Sequence, residues 1–175
     1  MKRKLLIIGL LLVFITSLAG CLGRDQQKED KTNQPPADTK VNFTVYFSDD
    51  QAMYLKGEKR TVSKDDKSEA ELMIGELLKG PDSQELSPTI PEGTKLLSLE
   101  VKNKIALVDF SKEIQTNHSG GTAGESMTVY SIVNTLAQLP DIEAVQFLIE
   151  GKEQEAIWGH LYTLEPIEPN PELVK

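Results

Sequence analysis

The chain has 175 residues, with 19 basic side chains against 27 acidic, one Cys and two His, for a formal net charge of −8. One Cys excludes an internal disulfide framework and a multi-Cys zinc site, and two His exclude a His-rich metal centre. The acidic balance argues against nucleic acid as a partner, because phosphate binding needs a basic surface.

Lys2, Arg3 and Lys4 precede an apolar run from Leu5 to Ile15, and Leu18-Ala19-Gly20-Cys21 follows. A basic start, a short apolar stretch and small residues before a cleavage point are a secretory signal layout. The run is shorter than the roughly 20 apolar residues of a membrane span. Leu18-Ala19-Gly20-Cys21 resembles the bacterial lipobox. That resemblance implies a lipoprotein signal peptide over residues 1–20, cleaved behind Gly20, with diacylglycerol on the Cys21 sulfur. Two or three acyl chains anchor stably where one does not. An uncleaved signal anchor, with Cys21 a bystander, is the alternative. On the lipoprotein reading the chain is held at the extracytoplasmic face of the cell membrane and keeps no thiol for catalysis.

Residues 21–40 comprise the lipidated Cys and a tether. From Leu22 to Lys40 four basic and four acidic side chains cancel, and almost nothing is apolar. Such a segment cannot offset its ordering entropy and is expected to be disordered. Without Lys2, Arg3 and Lys4 the remaining 16 basic and 27 acidic residues leave −11, all of it in residues 41–175. An anionic membrane surface repels such a domain, which suits a standoff tether.

Val41, Phe43, Val45 and Phe47 alternate with polar residues and predict a strand with one apolar face. Leu55 to Val62 reads as a second, weaker strand or a β-like arm, with Gly57 weakening the strand pattern. Ser68-x-x-Glu71 is a capping box, and Ala70, Met73, Ile74, Leu77 and Leu78 follow a helical stripe that Gly80-Pro81 ends. After a Pro-rich loop, Leu97, Leu99 and Val101 share one strand face. Lys102-Asn103-Lys104 turns the chain into a hairpin partner from Ile105 to Phe110, apolar on nearly both faces. Thr122-x-x-Glu125 reads as a second capping box, with Val129, Tyr130, Val133, Leu136 and Ala137 as its stripe. Ala144 to Ile149 predicts a further strand, and Leu161 to Leu164 a short edge strand. The Pro-rich tail over 165–175 is expected to be flexible. The order β-α-β-β-α-β predicts one α+β domain over 41–164, a two-layer sandwich. Its sheet is mixed or antiparallel, with two helices on one face.

Local motifs carry little chemistry. Gly124-Glu125-Ser126-Met127-Thr128 lacks the last glycine of a nucleophile elbow and reads as the first turn of a helix. A hydrolase using His118 with Ser119 or Ser126 is the minor alternative. His118 and His160 stand in no ligand-spaced motif, so no metal and no cofactor are expected. Trp158 reads as a core plug or as an exposed anchor for a partner. On the sheet face away from the helices the alternation places Thr44, Tyr46, Ser98, Glu100 and Gln146. Tyr46, Glu100 and Gln146, with Trp158, form the candidate partner surface.

Five segments standing in order carry a resemblance. They are Leu77-Leu78-Lys79-Gly80-Pro81, Ile90 to Ser98, Val108-Asp109-Phe110-Ser111, Tyr130-x-x-Val133-x-Thr135-Leu136 and Val145 to Lys152. Together they resemble the GerMN domain of sporulation and germination lipoproteins, over roughly Val41 to Tyr162. The resemblance implies a non-enzymatic domain similar to ring-building modules, with no assigned catalytic residues. It implies envelope or sporulation proteins as partners, and self-association. An envelope module that recognises a small ligand or a peptidoglycan fragment for a cell-wall enzyme is the second expectation.

Overall fold

The structure is a computed structural model and describes residues 39–175. The expected signal peptide, Cys21 and all but the last two tether residues lie outside the described residues. Strand β1 (Lys40–Asp49) runs antiparallel to β2 (Leu55–Ser63). The Asp49 carboxylate closes their connection, accepting the N–H groups of Met53 at 2.8 Å and Tyr54 at 3.2 Å. Phe43, Val45 and Phe47 are buried on the inner face of β1, as the alternation predicts. On the other face Tyr46 pairs with Gly57, whose missing side chain makes room for its β1 neighbours: a Cβ there would stand 2.7 Å from Thr44 Cγ2 and 3.3 Å from Tyr46 Cε1. Gly57 in mid-strand is thus covered by its neighbours on β1.

Helix α1 (Glu69–Lys79) opens on the predicted capping box. The Ser68 hydroxyl accepts the Glu71 N–H at 3.2 Å, and the Glu71 carboxylate accepts the Ser68 N–H at 2.7 Å. Ala70, Met73, Ile74 and Leu77 are buried, and the helix stops at Gly80 with φ 84° and ψ 179°, a backbone region open essentially to glycine alone. A two-residue strand, β3 (Leu86–Ser87), pairs with the end of β1.

Strands β4 (Leu96–Lys102) and β5 (Ile105–Phe110) form the predicted hairpin. Asn103 and Lys104 have φ of 50° and 65°, the type I′ geometry that matches strand twist. The register slips between Leu96 and Ser98, a bulge that leaves Leu97 outside the ladder. The short helix α2 (Glu113–Thr116) and helix α3 (Thr122–Leu136) cross over to β6 (Ala144–Ile149), which lies parallel to β5. A parallel pair needs such a crossover.

The strands form two three-stranded sheets, β2-β1-β3 and a mixed β4-β5-β6. The fold class is the α+β one expected, and the division of the sheet is a finding. Helix α3 and the turn after it cover the open edge of β1: Thr135 Oγ1 accepts the Tyr46 N–H at 3.2 Å, and Gln138 Nε2, just past the helix end, donates to Thr44 O at 2.7 Å. These side chains thereby satisfy backbone groups that a further strand would otherwise pair. This central position explains why α3 is buried almost all round, Ser131 and Thr135 included. Phe47, Phe110 and Phe147, with Leu77 and Leu136, fill the core between the layers. Each such side chain contributes about 1.5–3 kcal/mol by leaving water.

Three expectations are corrected. The second capping box does not form: Gly121 is the N-cap, no side chain caps it, and Glu125 turns inward at 0% exposure. No strand forms over Leu161–Leu164. The tail over 165–175 is not free. Ile167 exchanges backbone hydrogen bonds with Val145 at 2.8 and 3.0 Å, Asn170 and Asn134 bond reciprocally at 2.8 Å, and Lys175 N donates to Leu55 O. Prolines spend no donor on these contacts, so a Pro-rich segment can lie extended along the domain.

Candidate functional site

The four residues of the expected partner surface are not brought together. Tyr46 is half-buried over Gly57 in the first sheet. Glu100 lies exposed on β4, at one side of the second sheet, and pairs with Lys102. Gln146 lies on β6 at the other side of that sheet and is 6% exposed, its amide donating to Thr163 O at 2.8 Å. The open face expected there is closed by residues 154–167, which also bring Thr163 to 0% exposure. Trp158 is half-buried, its Nε1–H bonded to Ile114 O at 2.9 Å and its ring 5.1 Å from that of His118. It plugs the side of the domain and keeps one edge in water.

Both histidines are held by hydrogen bonds within the fold. The Thr128 hydroxyl donates to Thr89 O at 2.6 Å, which leaves its lone pairs to the His118 Nε2–H at 3.1 Å. Among the described residues no hydrogen bond joins His118 to Ser119 or Ser126. His160 pairs instead with Glu125: Nδ1 lies 2.8 Å from Oε2, while Oε1 accepts the N–H groups of His160 and Leu161 at 3.2 and 2.7 Å. A fully buried carboxylate thus anchors the segment after β6. Among the described residues no three His, Cys, Asp or Glu side chains converge as metal ligands.

One buried cation went unmarked in the sequence pattern. Arg60, 7% exposed on β2, reaches Glu58 at 2.8 Å, Asp82 at 2.5 Å, Glu76 at 3.3 Å and Gly80 O at 2.9 Å, and lies over the Phe47 ring. It ties β2 to the C-terminal end of α1 and to the turn beyond it. Burial opposes a charged Glu58, but the N–H groups of Asp82 and Ser83, together with Arg60, outweigh it and hold the carboxyl below its ordinary value.

Among the described residues, two surfaces offer room for a ligand or a partner. A cleft of about 710 Å³ lies between the start of the β1–β2 connection, the end of α1, residues 87–92 and the first turns of α3. Its wall is mixed, with Asp50, Lys79, Glu92, Asn117 and His118 among the polar side chains. The second surface is the outer edge of β4, where Leu97 is 49% and Val101 37% exposed. The sequence pattern names both as core-face residues, and the edge position with the bulge is what leaves them uncovered.

No helix among the described residues is long and apolar enough to cross a membrane. No curated protein matches the chain. Among solved structures, the tandem GerMN domains of the sporulation protein GerM from Bacillus subtilis superpose with a TM-score of 0.63 at 19% identity. That match covers 77% of this chain and 47% of the other, so this chain spans about half the tandem one. The first GerMN domain of the same protein superposes at 0.56 with 21% identity, over 73% and 97%. A Clostridium perfringens protein described as a candidate lipoprotein superposes at 0.54 with 26% identity, over 78% and 93%. At such identities the two GerM superpositions speak for the fold. The profile of the Germane family, sporulation and spore germination, matches residues 44–155. The chain belongs to the sporulation and spore germination family that carries the GerMN domain.

Proposed function

We propose that the chain is a lipid-anchored, extracytoplasmic and non-enzymatic module that acts through protein contacts in the assembly of the cell envelope during sporulation or germination. The observation that carries this reading is how the reactive groups are used. His118, Thr128 and Glu125 are spent on hydrogen bonds inside the fold, while an apolar strand edge is left open. Family membership supports the link to sporulation or germination, and the lipobox-like Leu18-Ala19-Gly20-Cys21 supports the anchor. Cross-linking in native membranes, followed by isolation of the full chain, tests the reading, with Cys21→Ala as the unanchored control. The expected result is defined envelope partners with the wild type and their loss with Cys21→Ala. Recovery of the unaltered chain free of any partner from sporulating membranes would refute it.

The cleft favours a second reading, in which the chain holds a small ligand or a peptidoglycan fragment for a cell-wall enzyme. Its volume and mixed lining suit a polar ligand of modest size. Co-sedimentation of the full chain with purified cell-wall sacculi separates the two: retention abolished by Asn117→Ala supports binding, and no retention removes it.

A further inference from the structure

Strand β4 is the terminal strand of its sheet, and among the described residues no strand pairs with its outer side. Lys102 and Ile105 flank the two-residue turn and exchange hydrogen bonds across it, so Lys102 and Glu100 turn their backbone groups toward β5. Leu99 and Val101 therefore turn theirs outward, an unpaired edge of the kind other chains pair with. Leu99 and Val101 also line, with Ala70, Leu139 and Ile142, a hollow of about 460 Å³ between β4 and the start of α1.

Resting on the assembly reading above, we propose that this edge pairs with the same edge of a second copy, antiparallel and two-fold about Val101. The two β4-β5-β6 sheets then join into one of six strands. The register follows from charge. With Val101 opposite itself, Glu100 of each copy stands opposite Lys102 of the other, giving two cross-strand ion pairs on the outer face. On the other face Val101 meets Val101, and the apolar side chains of the second copy extend over the hollow. A pairing centred on Leu99 instead needs the backbone of Leu97 in line, and the bulge has taken it out. The hairpin also suits an encounter of two domains of charge −11, because from Lys95 to Lys104 it carries three Lys against one Glu.

Sedimentation of the full-length chain in detergent tests the charge register. Glu100→Lys or Lys102→Glu alone sets like charges opposite one another twice per dimer and weakens association about tenfold. The double reversal E100K/K102E restores it. Side chains 60% and 65% exposed tolerate these changes without unfolding, and an unchanged melting curve confirms that. Oxidation of Val101→Cys gives a covalent dimer, because Cα atoms about 5.5 Å apart in such a pair suit a disulfide. Leu97→Cys, off the two-fold, does not, and the unaltered chain with Cys21 alone sets the background. Self-association indifferent to the single reversals, or Leu97→Cys cross-linking as readily as Val101→Cys, overturns the pairing. A chain monomeric at every concentration also overturns it, and the assembly reading falls as well only if native membranes yield no cross-linked partner.

Discussion

Replacing Arg60 with Met removes a guanidinium that is 7% exposed and leaves three carboxylates around its place. Breaking a buried ion cluster by deleting one partner costs about 3–5 kcal/mol, because the remaining charge is stranded. The geometry here points to the low end. Asp82 is 84% exposed and returns to water, Lys79 still reaches Glu76, and Glu58 keeps the N–H groups of Asp82 and Ser83. The expected loss is about 3 kcal/mol, a fall of about 10 °C in Tm for a domain of this size. Urea unfolding followed by circular dichroism measures it. The pH dependence adds a second reading. Glu58 is held below its ordinary value, so its contribution is present above the unfolded pKa near 4.5 and disappears as pH falls through the folded value. The gap between wild type and variant should therefore narrow below about pH 4, as the stranded carboxylates take up protons. Adding Glu76→Gln to Arg60→Met should recover about 1 kcal/mol, because Glu76 is buried and keeps only the exposed Lys79 against its charge. A loss below about 1 kcal/mol, or a gap that does not depend on pH, would refute the claim that Arg60 holds β2 to α1.

Two further substitutions address the segment after β6. Glu125→Ala leaves the N–H groups of His160 and Leu161 unpaired against α3 and should cost about 2–3 kcal/mol. Hydrogen exchange should rise most over residues 154–163, and uniform protection there would count against the anchoring role. Asn134→Ala removes both hydrogen bonds to Asn170. It should expose the tail to proteolysis near residues 165–170 while lowering global stability by only about 1–2 kcal/mol. A tail as resistant as in the wild type would mean that the bridge from Ile167 to Val145 holds it alone.

Much of the fold could be read locally. The helix from Glu69 was legible because its cap, its apolar stripe and its Gly80-Pro81 stop agree with one another. The hairpin around Asn103 was legible for the same reason, since two residues of positive φ stand between alternating runs. The candidate surface was not. Gln146 follows the outward parity of its strand, yet a segment 17 residues further on covers it. Leu97 follows the inward parity of β4, yet a bulge and an open edge leave it exposed. Parity says which side of a strand a residue takes and nothing about what lies there. Arg60 and Glu125 were likewise hidden, because a charged residue gives no periodic signal that it will be buried; only partners brought from 16 to 36 residues away make burial tolerable.

Composition and local pattern alone determined the acidic balance, the α+β order of elements, and a single Cys with two separated His, which leave no thiol framework and no His cluster. Each of those properties depends on residue counts or on neighbours a few positions apart. The tertiary structure decided that the sheet divides around α3, that the Pro-rich tail straps the domain, and that β4 is the strand left open. These depend on which backbone groups find partners across long stretches of chain, and unpaired backbone is costly enough to be settled only when the whole fold closes.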